Sequence, residues 1–256
     1  MIRGLYTSGL GMSTQMKKLD VISNNLANVN TTGYKKDDAI VSSFPEMLMN
    51  RINDTKNNVN IPRPIGKVTL GAQIDEIYTN FTQGSFIRTD EKFNLAIQGD
   101  GFFVINTANG EERYTRDGSF VIDANGQLKT KEGNSVMGED GIVTLDEDFL
   151  TQAHEVFIDD MGALIIDGEY IDRIRMANFE DNTSLKKVGD NLYESTGNPT
   201  PFEGKVMQGY VESSNVNPVT AMVDMITVSR TYEANQKMIQ VHDTLMGKAV
   251  NEVGKA

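Results

Sequence analysis

Pro218 to Val253 reads PVTAMVDMITVSRTYEANQKMIQVHDTLMGKAVNEV, and its apolar residues fall on helical spacing. Ala221, Met225, Val228, Tyr232, Ile239, Met246, Ala249 and Val253 form one stripe, with Met222, Ile226, Met238, Val241 and Leu245 in a row beside it. Residues three, four and seven apart share one face of an α-helix, so the pattern predicts a single long helix with a wide apolar face. Asn217 is placed to cap it, and Pro218 suits its first position because a first-turn residue needs no N–H partner. At about 1.5 Å per residue the helix runs roughly 50 Å, longer than a small domain is wide. Much of it therefore needs another helix, from its own N-terminus or from neighbouring chains.

The opposite end carries the same kind of signal. Leu5, Met12, Leu19 and Leu26 recur at intervals of seven, with Gly9, Met16 and Ile22 between them, which predicts a helix over about residues 5–28. Asn24, Asn25, Asn28 and Asn30 crowd its last turns. Asn is a poor helix former because its amide competes for backbone hydrogen bonds, so two readings stand: a fraying helix end, or amides that bond neighbouring chains. Gly33 can take the left-handed conformation that closes the segment.

Between the ends the pattern changes twice. Residues 34–75 are polar, hold Pro45, Pro62 and Pro64, and read as a long connector with one short helix around Glu46 to Asn53. Farther on, turn pairs recur at Asp100-Gly101, Asn109-Gly110, Asp117-Gly118, Asn125-Gly126, Asp140-Gly141 and Asp167-Gly168, separated by short apolar runs such as Phe102-Phe103-Val104-Ile105. Such pairs favour the positive φ of tight hairpins, and positive φ is expected at Gly118 and Gly126 in particular. The fold class is thus α+β: N- and C-terminal helices forming an assembly coiled-coil domain, and a central all-β domain of hairpins. The predicted parts are an N-terminal helix segment (1–36), a connector (37–75), the β domain (76–205), a return strand and linker (206–217) and a C-terminal helix (218–256).

Charge and composition exclude several functions. The net charge is −12, whereas nucleic-acid binding needs clustered Lys and Arg. From Glu139 to Asp172 there are eleven acidic residues and no basic ones, while residues 1–36 hold Arg3, Lys17, Lys18, Lys35 and Lys36 against Asp20 alone. A solvated acidic face explains the first run; attraction to the basic N-terminal arm of a neighbour is the other reading. Cysteine is absent, which removes disulfides and thiolate chemistry. Neither His154 nor His242 sits in a His-Glu-x-x-His pattern, Gly99-Asp100-Gly101 lacks the third glycine of a dinucleotide loop, and Asp123-Ala124-Asn125-Gly126 lacks the spacing of a calcium loop. No enzyme, cofactor, metal or small-molecule substrate is expected. The N-terminal residues hold no apolar core of a cleaved Sec signal.

Several segments then resemble a known family. Asp20 to Tyr34 (DVISNNLANVNTTGY) is similar to the N-terminal signature of the bacterial flagellar rod, hook and hook-associated axial proteins. Asn94 to Phe103 (NLAIQGDGFF), Tyr114 to Phe120 (YTRDGSF), Asp123 to Leu128, Asn191 to Tyr193, Gln208 to Asn217 (QGYVESSNVN) and Met222 to Ile239 resemble the larger rod subunits, proximal or distal, in the same order. The positions that carry the likeness include Asn24, Asn25, Asn28, Gly33, Gly99, Gly101, Phe102, Phe103, Tyr114, Arg116, Asp117, Gly118, Asn215 and Asn217. The resemblance implies a structural subunit of the basal-body rod, polymerising with itself and with other rod and hook subunits into a hollow shaft that carries motor torque to the hook. It also implies delivery by the flagellar type III export apparatus to a place outside the inner membrane. On this reading the assembly interface comprises Leu5, Met12, Met16, Leu19, Ile22 and Leu26 of the first helix. The second helix contributes Ala221, Met222, Met225, Ile226, Val228, Tyr232, Met238, Ile239, Val241, Leu245 and Met246. The alternative from another class is a secreted β-domain adhesin dimerised by its terminal helices.

Overall fold

The computed structural model describes residues 2–51, 55–56, 59–60, 63–145 and 155–253. The chain divides into two compact units, one of residues 1–26, 37–78 and 218–256, the other of residues 27–36 and 79–217. The fold is α+β, with a helix at each end and a β-rich middle.

The first unit holds helix α1 (Ile2–Ala27), strands β1 (Asp37–Ser43), β2 (Met47–Arg51), β3 (Thr55–Lys56), β4 (Val59–Asn60), β5 (Arg63–Val68) and β6 (Ala72–Thr79), and helix α2 (Pro218–Lys248). Helix α2 starts on Pro218, where the sequence places it. The two helices run antiparallel: a Cβ on Gly4 would meet the His242 ring, and one on Gly11 would lie 3.1 Å from the Asn235 amide. As the first helix advances seven residues the second retreats seven, so the absent side chains let the backbones approach.

The short helix expected at Glu46 to Asn53 is instead strand β2, paired antiparallel with β5. Met-Leu-Met has good intrinsic helix propensity, yet the hydrogen bonds offered by β5 override so weak a local preference. The register shifts between Met49 and Asn50, opposite Pro64, where a residue without an N–H is tolerated.

In the second unit one sheet runs in the order β11 (Phe120–Ile122), β12 (Leu128–Thr130), β13 (Ser135–Val136), β9 (Phe102–Asn106), β10 (Glu112–Thr115), β19 (Leu192–Ser195), β18 (Leu185–Gly189), with β17 (Met176–Ala177) also on β9. The Phe102-Phe103-Val104-Ile105 run of β9 is buried on both faces, which is why it is continuously apolar. Phe103 joins a core with Phe120, Leu128, Leu164 and Ile174. Phe102 and Val104 join a second, with Tyr114, Phe179 and Tyr193. Strands β14 (Val156–Ile158), β15 (Ala163–Ile166) and β16 (Glu169–Arg173) form a smaller sheet, while β7 (Phe86–Arg88) and β8 (Leu95–Gln98) pair with the returning strands β21 (Tyr210–Glu212) and β20 (Lys205–Gln208).

The turn chemistry holds in part: Asp100-Gly101 joins β8 to β9, which pair with other strands and not with each other, so it is no hairpin. Asp167 and Gly168 both have positive φ (52° and 89°), as a two-residue hairpin between β15 and β16 requires. Gly126 has φ 77°. Gly118 does not have the positive φ expected of it; a Cβ there would strike the Leu95 carbonyl. Close backbone approach, not a hairpin turn, demands glycine at that position.

Candidate functional site

Two constellations stand out, one in each unit. In the first, α1 and α2 carry the residues predicted to form an assembly interface, and the structure sorts them. Leu5, Met12, Leu19, Ile22 and Leu26 of α1, and Met225, Val228, Tyr232, Ile239 and Met246 of α2, are partly covered within the chain, and Ala221 is buried. Met16, Met222, Ile226, Met238, Val241 and Leu245 are exposed. Thus the inner stripe of α2 faces its own chain while the flanking row does not, and Ala221 is the sole fully buried residue recorded on this 31-residue helix.

Of the Asn cluster, Asn25 is buried and fits neither reading offered for it. Its Oδ1 accepts from the Asp37 N–H at 2.9 Å and its Nδ2 donates to the Asp37 carbonyl at 2.7 Å, tying the end of α1 to the start of β1. Asn28 accepts from Thr31 in a turn just beyond the helix.

The second constellation is built by the signature segments converging in the β-rich unit. Gly33, at φ 65°, donates its N–H to the Glu212 carbonyl at 2.8 Å. A Cβ there would run into the backbone between Arg116 and Asp117, so glycine is required twice over. Thr32 Oγ1 donates to Asp117 Oδ1 at 2.6 Å, and the same oxygen accepts from the Ser119 N–H and hydroxyl. Asn191 Nδ2 donates to the Thr32 carbonyl. Tyr34 is buried beneath the Lys187 ammonium, 4.1 Å from its ring centre. Asn215 accepts from the Lys36 N–H at 2.8 Å and donates to the Asn80 carbonyl at 2.8 Å.

At its centre lie three charges almost wholly out of water. Lys35 Nζ is 2.5 Å from Glu212 Oε1, and Arg116 reaches Glu212 Oε2 at 3.4 Å; the side chains are 1%, 3% and 1% exposed for Lys35, Arg116 and Glu212. Further bonds satisfy most of the remaining positions, the buried Arg116 Nε excepted. Lys35 donates to the Thr82 carbonyl, Glu212 Oε1 accepts from the Gly84 N–H, and Arg116 donates to the Gly99 carbonyl with its guanidinium 5.2 Å from the centre of the Phe102 ring. Burial pushes the Lys35 ammonium below its ordinary lysine value, and Glu212 opposes that shift. Burial likewise lowers the Arg116 guanidinium, again against Glu212. One carboxylate serving two cations in such a place ties strand β21 to two segments outside the strands, for a buried charge persists only when paired and hydrogen-bonded.

Lys35 and Glu212 are absent from the residues marked by sequence reasoning, although both border or lie within the quoted segments. Glu212 follows buried Val211 in a short strand, and a lone acid inside a segment otherwise free of charge is the signal that could have found it. Gly101 lies against the Phe202 ring, and Phe102, Phe103 and Tyr114 belong to the cores. Asn217 directly precedes α2. His242 packs against α1 at Gly4, and His154 lies outside the described residues. Among the described residues, no group of three or more His, Asp or Glu is placed to hold a metal ion.

Three family patterns match in collinear order: "Flagella basal body rod protein" over residues 5–35, "Flagellar hook protein FlgE/F/G D1 domain" over 96–166 and "Flagellar basal body rod FlgEFG protein C-terminal" over 207–252. The flagellar basal-body rod protein FlgG of Borreliella burgdorferi is 35% identical over 267 residues, covering 98% of each chain. The flagellar hook-basal body complex protein FlhO of Bacillus subtilis is 33% identical and covered end to end by this chain. The rod protein FlgF of Caulobacter vibrioides is 34% identical over 253 residues, with 96% of this chain and 97% of the relative aligned.

Proposed function

The chain belongs to the family of flagellar basal-body rod proteins, and on that premise we propose that it is a structural subunit of the rod, without catalytic activity, that works in the basal body by polymerising with copies of itself and with other axial subunits. On this reading it transmits torque to the hook, lines a hollow channel for exported subunits and is delivered by the flagellar export apparatus. Residues 1–36 and 218–256 serve as the axial segments, which bundle as a coiled coil with their neighbours, while residues 76–205 form the β domain and 37–75 and 206–217 join the parts.

The observation that carries this reading is the exposed apolar row Met222, Ile226, Met238, Val241 and Leu245, left uncovered while the inner stripe of the same helix is covered. A helix with a second apolar face needs a second partner, because exposed apolar surface of this extent favours association. The adhesin alternative has no support: the relatives that align along nearly the whole chain carry the names of rod and hook-basal body proteins. Electron microscopy of the concentrated protein separates the two. Open filaments are expected, and a closed dimer of fixed size would overturn the reading.

A further inference from the structure

We infer that an apolar pocket beside the N-terminal turns of α1 receives the exposed patch at the start of α2 from a second copy of the chain, an inference that rests on the rod-subunit reading. The pocket has a volume of about 530 Å³ and is lined by Tyr6, Met47, Leu48, Val68 and Leu70, with Arg3 at its polar edge. Tyr6, Met47 and Leu48 are each about half exposed, so the pocket is open and apolar at once. The matching surface is Val219, Met222, Val223 and Ile226, all exposed and all on one face of the first turns of α2.

The patch cannot fill the pocket of its own chain. Gly4 of α1 meets His242, and Ile226 precedes His242 by sixteen residues, about 24 Å along a helix at ~1.5 Å per residue. The occupant must come from elsewhere, and charge favours another copy. Arg3 rests on the Met49 sulfur at 3.9 Å and has no carboxylate partner among the described residues. Glu233 follows Ile226 by two turns on the same face, is exposed, and has no cationic partner among the described residues. In the proposed seating Ile226 sits beside Leu48 and Glu233 pairs with Arg3, with Arg230 one turn beyond Ile226 on the same face. Pocket and patch are different surfaces of one molecule, so a head-to-tail contact between them can repeat along an open filament.

The test exploits the absence of cysteine from the chain. Leu48→Cys and Ile226→Cys proteins, carrying different affinity tags, are mixed at assembling concentration and treated with a short bismaleimide. The expected product is a cross-linked dimer holding both tags, in about tenfold excess over either same-tag dimer. Filaments that yield only same-tag dimers, or no cross-link, overturn the inference and leave the rod reading standing. Failure of the unmodified protein to form filaments overturns the rod reading and this inference with it. An independent arm uses charge: Arg3→Glu and Glu233→Arg each raise the concentration needed for assembly by about tenfold, and the double variant restores it. A double variant no better than the weaker single one overturns the pairing.

Discussion

The ion cluster at Lys35, Arg116 and Glu212 and the helix α2 are opposites in completeness. In the first, most polar groups are satisfied by the chain itself: Glu212 accepts from Lys35, Arg116 and the Gly84 N–H, while Lys35 and Arg116 also donate to the Thr82 and Gly99 carbonyls. In the second, apolar groups that a folded chain would normally cover stand open along one side. The ion cluster is therefore closed within one molecule, while the outer row of α2 is left uncovered by its own chain. Such a division suits a subunit that must be a folded body and an unfinished surface at the same time.

The sharpest way to break that contrast is to remove the carboxylate. Glu212→Ala leaves Lys35 and Arg116 buried without compensation, and the loss is expected at about 3–5 kcal/mol, read as a large fall in the thermal midpoint of the β-rich unit. A fall no bigger than that of a surface substitution would show that water reaches the cluster. Gly118→Val comes next. Its side chain must displace the Leu95 carbonyl, at a cost of about 1–3 kcal/mol, measured by the same melt. Gly126→Ala is expected to cost about 1 kcal/mol or more, through its positive φ and through a Cβ that would strike the Leu145 carbonyl.

The smallest effect on the melt belongs to the helix, and there the readouts part. Ile226→Asp changes an exposed side chain, so the melt should move by no more than about 0.5 kcal/mol while filament formation is lost. A melt that falls with assembly would mean that α2 is already fully packed in the monomer. Amide exchange sharpens the same point: in dilute protein the amides of β9 should exchange slowly, and those of α2 beyond its first turns orders of magnitude faster. Equal protection in both would erase the distinction.

The ends of the molecule were legible because their signals are local. Helical spacing and the Asn217-Pro218 start need only neighbouring residues, and the Asp167-Gly168 hairpin is written in two. Strand β2 was not legible, since Met47 to Met49 carry a helical propensity that only the distant β5 overrides. Gly118 was misread for the same reason: its constraint comes from Leu95, far along the chain, and not from the Asp before it. The Asn25 amide and the Lys35–Glu212 pair were hidden too, because no spacing rule announces a partner brought by tertiary structure. What sequence supplied through resemblance was the set of segments; what it lacked was the knowledge that Gly33, Arg116, Asp117 and Asn215 help to build one joint.

That joint also sets a clock. Lys35 and Glu212 are separated by 177 positions, so their contact closes one of the longest loops in the chain, and contacts of such high order form late because entropy is lost before any bond is gained. Glu212 lies on β21, the last strand of the chain, so the β-rich unit cannot be complete until nearly all of the chain is available to it.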